Sequence, residues 1–265
     1  MKATLFLGGG RITGALVAGL RLAGDRRRIV VYDRHPEKLR ALRRKSKVEI
    51  ARDLKSNVES AEMVIVAVRP ASIEAMLKEV VDCGANSSAF WISLAAGIPL
   101  RNLKRWSGRP VRWARAMPSP VCRIGRGLTP LCFERSVPKS ERAQVRKLFK
   151  QVGLVLDLPE KQMDAITATH SPTHGYHALA TLAKAAQDAG LDRKTALIAA
   201  AHGLGNGIEY WRERGESLEA LLHEAATPGG IAASTMEAMN QAGFQNAVAR
   251  GVLAGIDRAR KNAKF

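Results

Sequence analysis

Through the first 158 positions, short apolar runs alternate with longer segments of mixed polarity. The apolar runs are ATLFLG (3–8), RIVVYD (28–33), MVIVAV (63–68), AFWISLA (89–95), VRWARAM (111–117), GLTPLCF (127–133) and GLVLDL (153–158). MVIVAV is apolar throughout instead of alternating, the pattern of a strand covered on both faces. Between the runs, 12–23 and Pro36–Lys45 have helical character, the second with proline in its first turn. Parallel strands joined by helices follow, an α/β organisation. After Pro159 the pattern changes to Ala- and Leu-rich helical stretches at 175–190, 193–212, 216–225 and 231–262, with nothing that reads as a strand. The boundary is expected near 158–162, between an α/β domain over 1–160 and an all-helical domain over 161–265. The tail Arg260–Phe265 is the one candidate for disorder.

Composition sharpens this picture. Apolar residues make up 46% of the chain and aromatics 5%, so the core should be built from Ala, Leu, Val and Ile. No apolar run approaches the about 20 residues needed to cross a bilayer. Glycine interrupts the N-terminal run before it could serve as a signal peptide. The three cysteines, Cys83, Cys122 and Cys132, have no metal-ligand spacing. A reducing, cytoplasmic compartment is expected. Of the formal net charge of +18, nearly all lies in residues 1–160. Such a field draws anions, among them dinucleotides and acidic substrates. Neither a helix-turn-helix pattern, nor zinc-finger spacing, nor an aromatic RNA-binding strand accompanies the charge, which argues against a nucleic-acid partner.

The stretch FLGGGRITGAL (6–16) carries the first chemistry. A pyrophosphate needs backbone N–H donors at a helix start, with no side chain blocking its approach. Gly8 suits a tight turn after the first strand and Gly10 suits backbone contact with phosphate. Thr13 stands where G-x-G-x-x-G/A asks for a third small residue. An acid at Asp33, closing the second strand, fits a ribose contact. Arg34, with His35 and Lys38 nearby, leans towards a 2′-phosphate and hence NADP, with NAD as the alternative.

Several stretches together resemble the pyrroline-5-carboxylate reductase family: FLGGGRITGALVAGL, AVRP (67–70), ISLAAGIPL (92–100), RAMPSPVCRIGRGLTPL (115–131), DAIT (164–167), TPGG (227–230) and AVARGVLAGIDRAR near the end. The resemblance spans essentially the whole chain. It implies an N-terminal Rossmann domain, a C-terminal helical domain that interlocks subunits in a dimer or larger ring, and NAD(P)H-dependent reduction of a cyclic imine in proline synthesis. It implies further that Gly8, Gly10, Arg11 and Ile12 meet the pyrophosphate. Ala67, Val68, Arg69 and Pro70 would line the nicotinamide side. Ala95 and Gly97 in LAAG, with Met117 and Ser119 in MPS, would close around cofactor and substrate. The family usually has Asn at the position of Ser119.

The departures fall where substrate would bind. The family reads roughly D-A-x-T-A-x-S-G-S-G-P-A-Y where this chain has Asp164 to Tyr176, so its Ser/Gly run is replaced by His170-Ser171-Pro172-Thr173-His174. The family's T-S-P-G-G-T-T loop is Ala226-Thr227-Pro228-Gly229-Gly230-Ile231-Ala232 here. Thr227 keeps a hydroxyl and Gly229 and Gly230 keep the turn, while the last Thr pair is lost. Hydrogen bonds to a charged group contribute about 1.5–3 kcal/mol each, so two losses weaken carboxylate binding substantially. His170 or His174 could compensate, by holding a carboxylate or protonating the imine nitrogen. The alternative is a cap or interface role; a metal site lacks acidic partners nearby. Thr173 and Tyr176 complete the expected substrate set. The readings are a reductase of pyrroline-5-carboxylate or a related imino acid, a relative acting on another C=N or C=O group, and a non-catalytic dimer that retains NAD(P).

Overall fold

The computed structural model describes residues 3–85, 88–108 and 110–264. Contacts divide the chain into two compact units, Met1–His170 with Ala254–Phe265, and Ser171–Leu253. This division falls later than the boundary at 158–162 and returns the end of the chain to the first unit. The reasons are a buried arginine that holds residues 160–164 and a close approach at Gly97, both described below.

The first unit is built on an eight-stranded sheet: β1 (Ala3–Leu7), β2 (Ile29–Tyr32), β3 (Glu49–Ile50), β4 (Ala61–Val66), β5 (Phe90–Ser93), β6 (Trp113–Ala116), β7 (Gly127–Phe133) and β8 (Gly153–Asp157). Their order is β3-β2-β1-β4-β5-β6-β7-β8. All neighbours pair parallel except β6 and β7, which run antiparallel with Arg115 opposite Cys132. The seven expected strands are present; β3, two residues long, escapes a pattern search by its brevity.

Helices α1 (Arg11–Leu22), α2 (Pro36–Ser46), α3 (Leu54–Ser60), α4 (Ile73–Asp82), α5 (Leu100–Trp106) and α6 (Lys139–Lys150) belong to the same unit, as does α7 (Met163–Thr169). Successive strand residues supply opposite faces. Leu5, Leu7, Val64, Val66 and Trp91 join one cluster with Val58 of α3, Leu77 of α4 and Leu103 of α5. Phe6, Val31, Ile65 and Ile92 join the other with Leu16 of α1, Leu42 of α2 and Leu148 of α6. The sheet is therefore doubly wound, and continuous apolar strands are what two covered faces require. Trp91 and Trp113, both buried, pack with ring centroids 5.4 Å apart.

Helices α8 (Thr173–Asp188), α9 (Arg193–Arg214), α10 (Leu218–Ala225), α11 (Ile231–Gln241) and α12 (Phe244–Asn262) follow. Asp192 starts α9 by accepting the N–H groups of Lys194 and Thr195, and Ser217 caps α10 on the N–H of Ala220. The single helical stretch expected over 231–262 is two helices. Gly243, at φ +81°, takes the left-handed conformation that ends a helix. The tail expected to be disordered is ordered through Asn262, which is buried, and Lys264; Phe265 lies outside the described residues. In α8 and α9 the buried residues are Ala183, Ala196 and Ala200, so this hairpin packs through small side chains. Tyr176, Leu197, Ile198, Trp211, Leu222 and Ile231 stay exposed on the second unit.

Candidate active site

The loops after β1, β2, β4, β5 and β6 leave the sheet at its carboxyl edge. Strand order reverses direction between β1 and β4, the point at which open α/β sheets take ligands. Gly8 sits there at φ +113°, and a Cβ on it would lie 2.8 Å from the Ala67 carbonyl oxygen. Any larger residue would push the β1 and β4 loops apart. Gly10 precedes α1 and has open space where a Cβ would project. Its carbonyl accepts the first helical bond, from Gly14 N–H at 3.0 Å. Among the described residues no side chain caps this start, so the first-turn N–H groups at Arg11, Ile12 and Thr13 are presented beyond the helix end. A concave, donor-lined helix start of this kind fits a pyrophosphate.

Thr13, the departure from the glycine pattern, is fully buried and donates its hydroxyl to the Gly8 carbonyl at 2.6 Å. It braces the loop from beneath. Close helix packing is supplied instead by Gly19, whose Cβ would lie 2.0 Å from the Cys122 carbonyl oxygen. Asp33 binds backbone: Oδ2 accepts Gly9 N–H at 2.7 Å and Oδ1 accepts His35 N–H at 2.9 Å. It ties the glycine loop to the turn after β2. Arg34 is paired with Glu79 of α4. Tyr32 donates its hydroxyl to the same carboxylate. Burial alone would raise the Glu79 pKa, yet hydrogen bonds from Tyr32 and Arg34 outweigh it and hold this carboxyl below its usual range. The bond to Glu79, with burial, pushes the Tyr32 phenol up to about 12.

The loop after β4 begins as Ala67 N–H donates to Leu7 at 2.8 Å; Arg69 is exposed and Pro70 opens a short 3-10 turn. After β5, Ala95 is buried and Gly97 turns at φ +77°. The end of α12 crosses this loop so closely that a Gly97 Cβ would lie 2.0 Å from the Ala259 carbonyl oxygen. Asn262 Nδ2 donates to the Ala96 carbonyl at 3.1 Å, and Asn102 Nδ2 to the Ala263 carbonyl at 2.9 Å. After β6, Met117 and Ser119 are buried, and Ser119 Oγ accepts Leu128 N–H at 3.3 Å.

His170 ends α7. Its Nε2 lies 2.8 Å from the Met117 carbonyl oxygen and its Nδ1 2.6 Å from that of Ile166. Both ring nitrogens face backbone acceptors, an arrangement that positions the loop after β6. Beneath it, Arg115 is buried on β6, with Nη1 3.2 Å from Glu160 and Nη2 3.6 Å from Asp164. The structure thus brings Gly8, Gly10, Arg11, Ile12, Asp33, Arg34, Ala67 to Pro70, Ala95, Gly97, Met117, Ser119 and His170 into one unit around one sheet edge. Thr173, His174 and Tyr176 stand exposed on the first turns of α8 in the other unit. Thr227, Gly229 and Gly230 form the turn before α11, closed by Gly230 N–H to the Thr227 carbonyl at 2.9 Å. Sequence reading missed Thr13 Oγ1, Glu79, Asn102 and Asn262, whose partners are visible only once the chain is folded.

Residues 4–97 match a family described as NADP oxidoreductase, coenzyme F420-dependent, and residues 160–262 match pyrroline-5-carboxylate reductase dimerisation. The pyrroline-5-carboxylate reductase of Mycobacterium tuberculosis is 30% identical over 98% of this chain and 97% of its own length. The chain belongs to the pyrroline-5-carboxylate reductase family. Among solved structures of that family, the reductase from Coxiella burnetii superposes with a TM-score of 0.87 at 25% identity, covering 99% of this chain and 98% of the other. The Plasmodium falciparum pyrroline carboxylate reductase, solved with NADP bound, shares the fold at a TM-score of 0.88 and 20% identity, covering 99% and 98%. Among the described residues, no helix of this reductase-family chain is long and apolar enough to cross a membrane.

Proposed function

We propose that this protein is an NADPH-dependent reductase, with NADH as a second cofactor, that converts 1-pyrroline-5-carboxylate to proline in the cytoplasm. The observation that carries the reading is the Gly8–Gly10 loop, packed on Ala67 at the switch point of the sheet, in a chain that aligns end to end with a reductase of that name. When bound, the nicotinamide supplies the hydride that adds to the imine carbon. Backbone N–H groups at Gly10, Arg11 and Ile12 would bind the pyrophosphate, and Ala67 to Pro70 with Ala95 and Gly97 would hold the nicotinamide ring. Asn262 ties the LAAG loop to α12 and Asn102 ties α5 to the residue after it, so this loop would offer a bound ring a rigid wall. Met117 and Ser119 line the substrate side, and His170 holds their loop through the Met117 carbonyl. Within the second unit, the Thr227 hydroxyl and the Gly229 N–H are the groups offered to the substrate carboxylate, and Thr173 and Tyr176 are further substrate contacts. His174 delivers the proton to the imine nitrogen. Orientation accounts for most of the rate in such a reaction.

A related cyclic imine or imino acid is the second reading. It is favoured by His170 to His174 and by Ile231-Ala232, which replace small and hydroxylated residues of the family pattern. Loss of NADPH absorbance is to be followed with pyrroline-5-carboxylate and a panel of cyclic imines. Turnover of pyrroline-5-carboxylate supports the first reading and turnover of another imine alone supports the second. NADPH binding without oxidation by any of them refutes both. The exposed apolar side chains of the second unit, together with the dimerisation match over 160–262, support a homodimer or larger homo-oligomer. Light scattering that gives a stable monomer refutes it.

A further inference from the structure

Arg34 follows Asp33 at the end of β2, where an arginine accommodates the 2′-phosphate of a dinucleotide. Its guanidinium is already engaged. Nε lies 3.1 Å from Glu79 Oε2 and Nη2 contacts the same oxygen, while the Tyr32 hydroxyl holds Oε1. Arg34 and Glu79 line an open surface depression of about 510 Å³ with Lys78, Asp82 and Cys83. An arginine fork recognises carboxylate and phosphate by the same planar, charge-assisted geometry. Glu79 therefore offers Arg34 the kind of anion that a 2′-phosphate would offer. Tyr32 anchors Glu79 independently of Arg34, so the carboxylate stays when the guanidinium turns away. A 2′-phosphate entering here must share Arg34 with Glu79 and also sit near its charge. A 2′-hydroxyl meets neither obstacle.

We propose that Glu79 is a built-in competitor of the 2′-phosphate for Arg34, and that this competition narrows the margin by which NADPH is preferred and so admits NADH as the second cofactor. The proposal rests on the dinucleotide reading of the glycine loop, and its test requires no imine substrate. Calorimetric titration with 2′,5′-ADP and with 5′-AMP compares the full chain with Glu79→Gln, Arg34→Ala and the double variant. Glutamine keeps the size of Glu79 and an oxygen for Tyr32 while removing the charge. Glu79→Gln should bind 2′,5′-ADP about tenfold more tightly and leave 5′-AMP within about twofold, as removal of one competing charge predicts. Adding Arg34→Ala should cancel that gain. An unchanged or weaker affinity of Glu79→Gln for 2′,5′-ADP, with 5′-AMP binding intact, overturns the proposal and leaves the dinucleotide site standing. Failure of every form to bind either nucleotide overturns both.

Discussion

Two glycines two residues apart should fail in opposite ways when each is changed to alanine. At Gly8 the backbone has φ +113°, and the new Cβ would lie 2.8 Å from the Ala67 oxygen and 2.9 Å from its carbonyl carbon. Holding a non-glycine residue in such a conformation costs about 1–3 kcal/mol. The contacted atoms are backbone of a strand end, which cannot turn aside as a side chain would. A total loss of about 2–3 kcal/mol corresponds to a fall in Tm of roughly 5–10 °C for a chain of this size. Gly10 has φ −78° and an open Cβ position. Alanine is a poorer N-cap than glycine, but it lowers the entropy of the unfolded chain, and the two effects leave stability within about 0.5 kcal/mol. The added methyl group would stand where phosphate must approach backbone N–H groups. Loss of one hydrogen bond to a charged group, about 1.5–3 kcal/mol, weakens NADPH binding by at least about tenfold. Thermal melts and NADPH fluorescence titrations on both variants separate the effects. A Gly8→Ala protein that melts with the wild type, or a Gly10→Ala protein that binds NADPH unchanged, refutes this account of the loop.

Further outcomes follow from buried groups. Glu160→Ala leaves Arg115 buried with one partner fewer and should cost about 2–3 kcal/mol in denaturant melts, at the low end for a buried pair because Glu160 is 38% exposed. Arg115→Met should cost less, since an apolar chain replaces the buried charge; the opposite ranking refutes this reading of the pair. His174→Ala should cut kcat about 100-fold with KM little changed, while His170→Ala should chiefly raise KM. Exchange of these two patterns would give His170 the proton transfer. Burial pushes the Cys122 and Cys132 thiols up to about 11 each, so in native protein only Cys83 should react with a disulfide reagent at neutral pH. Rapid labelling of two or more thiols would contradict the buried placement of Cys122 and Cys132.

Strand positions were legible in the chain because a sheet covered on both faces needs uninterrupted apolar runs, and MVIVAV is such a run. The glycine loop was legible as well, since only glycine tolerates the positive φ at residue 8. Gly243 also carried a local signal for the break between α11 and α12, hidden within a long Ala-rich stretch. The β6–β7 reversal and the two-residue β3 were not legible, because pairing direction is decided by neighbouring strands.

The sequence by itself determined seven of the strand segments, where the glycine-rich helix start lies, and that the helical half is a separate composition. Hydrophobic spacing and glycine backbone freedom are local properties, written residue by residue. Tertiary structure alone decided what the polar side chains do. Asp33, expected from its position to meet a ribose, also accepts the N–H groups of Gly9 and His35. Arg34 meets a glutamate 45 positions away, Asn262 reaches Ala96 across 166, and His170 reaches Met117 across 53. Those partners depend on which loops the sheet order brings to one edge, and no local pattern encodes that.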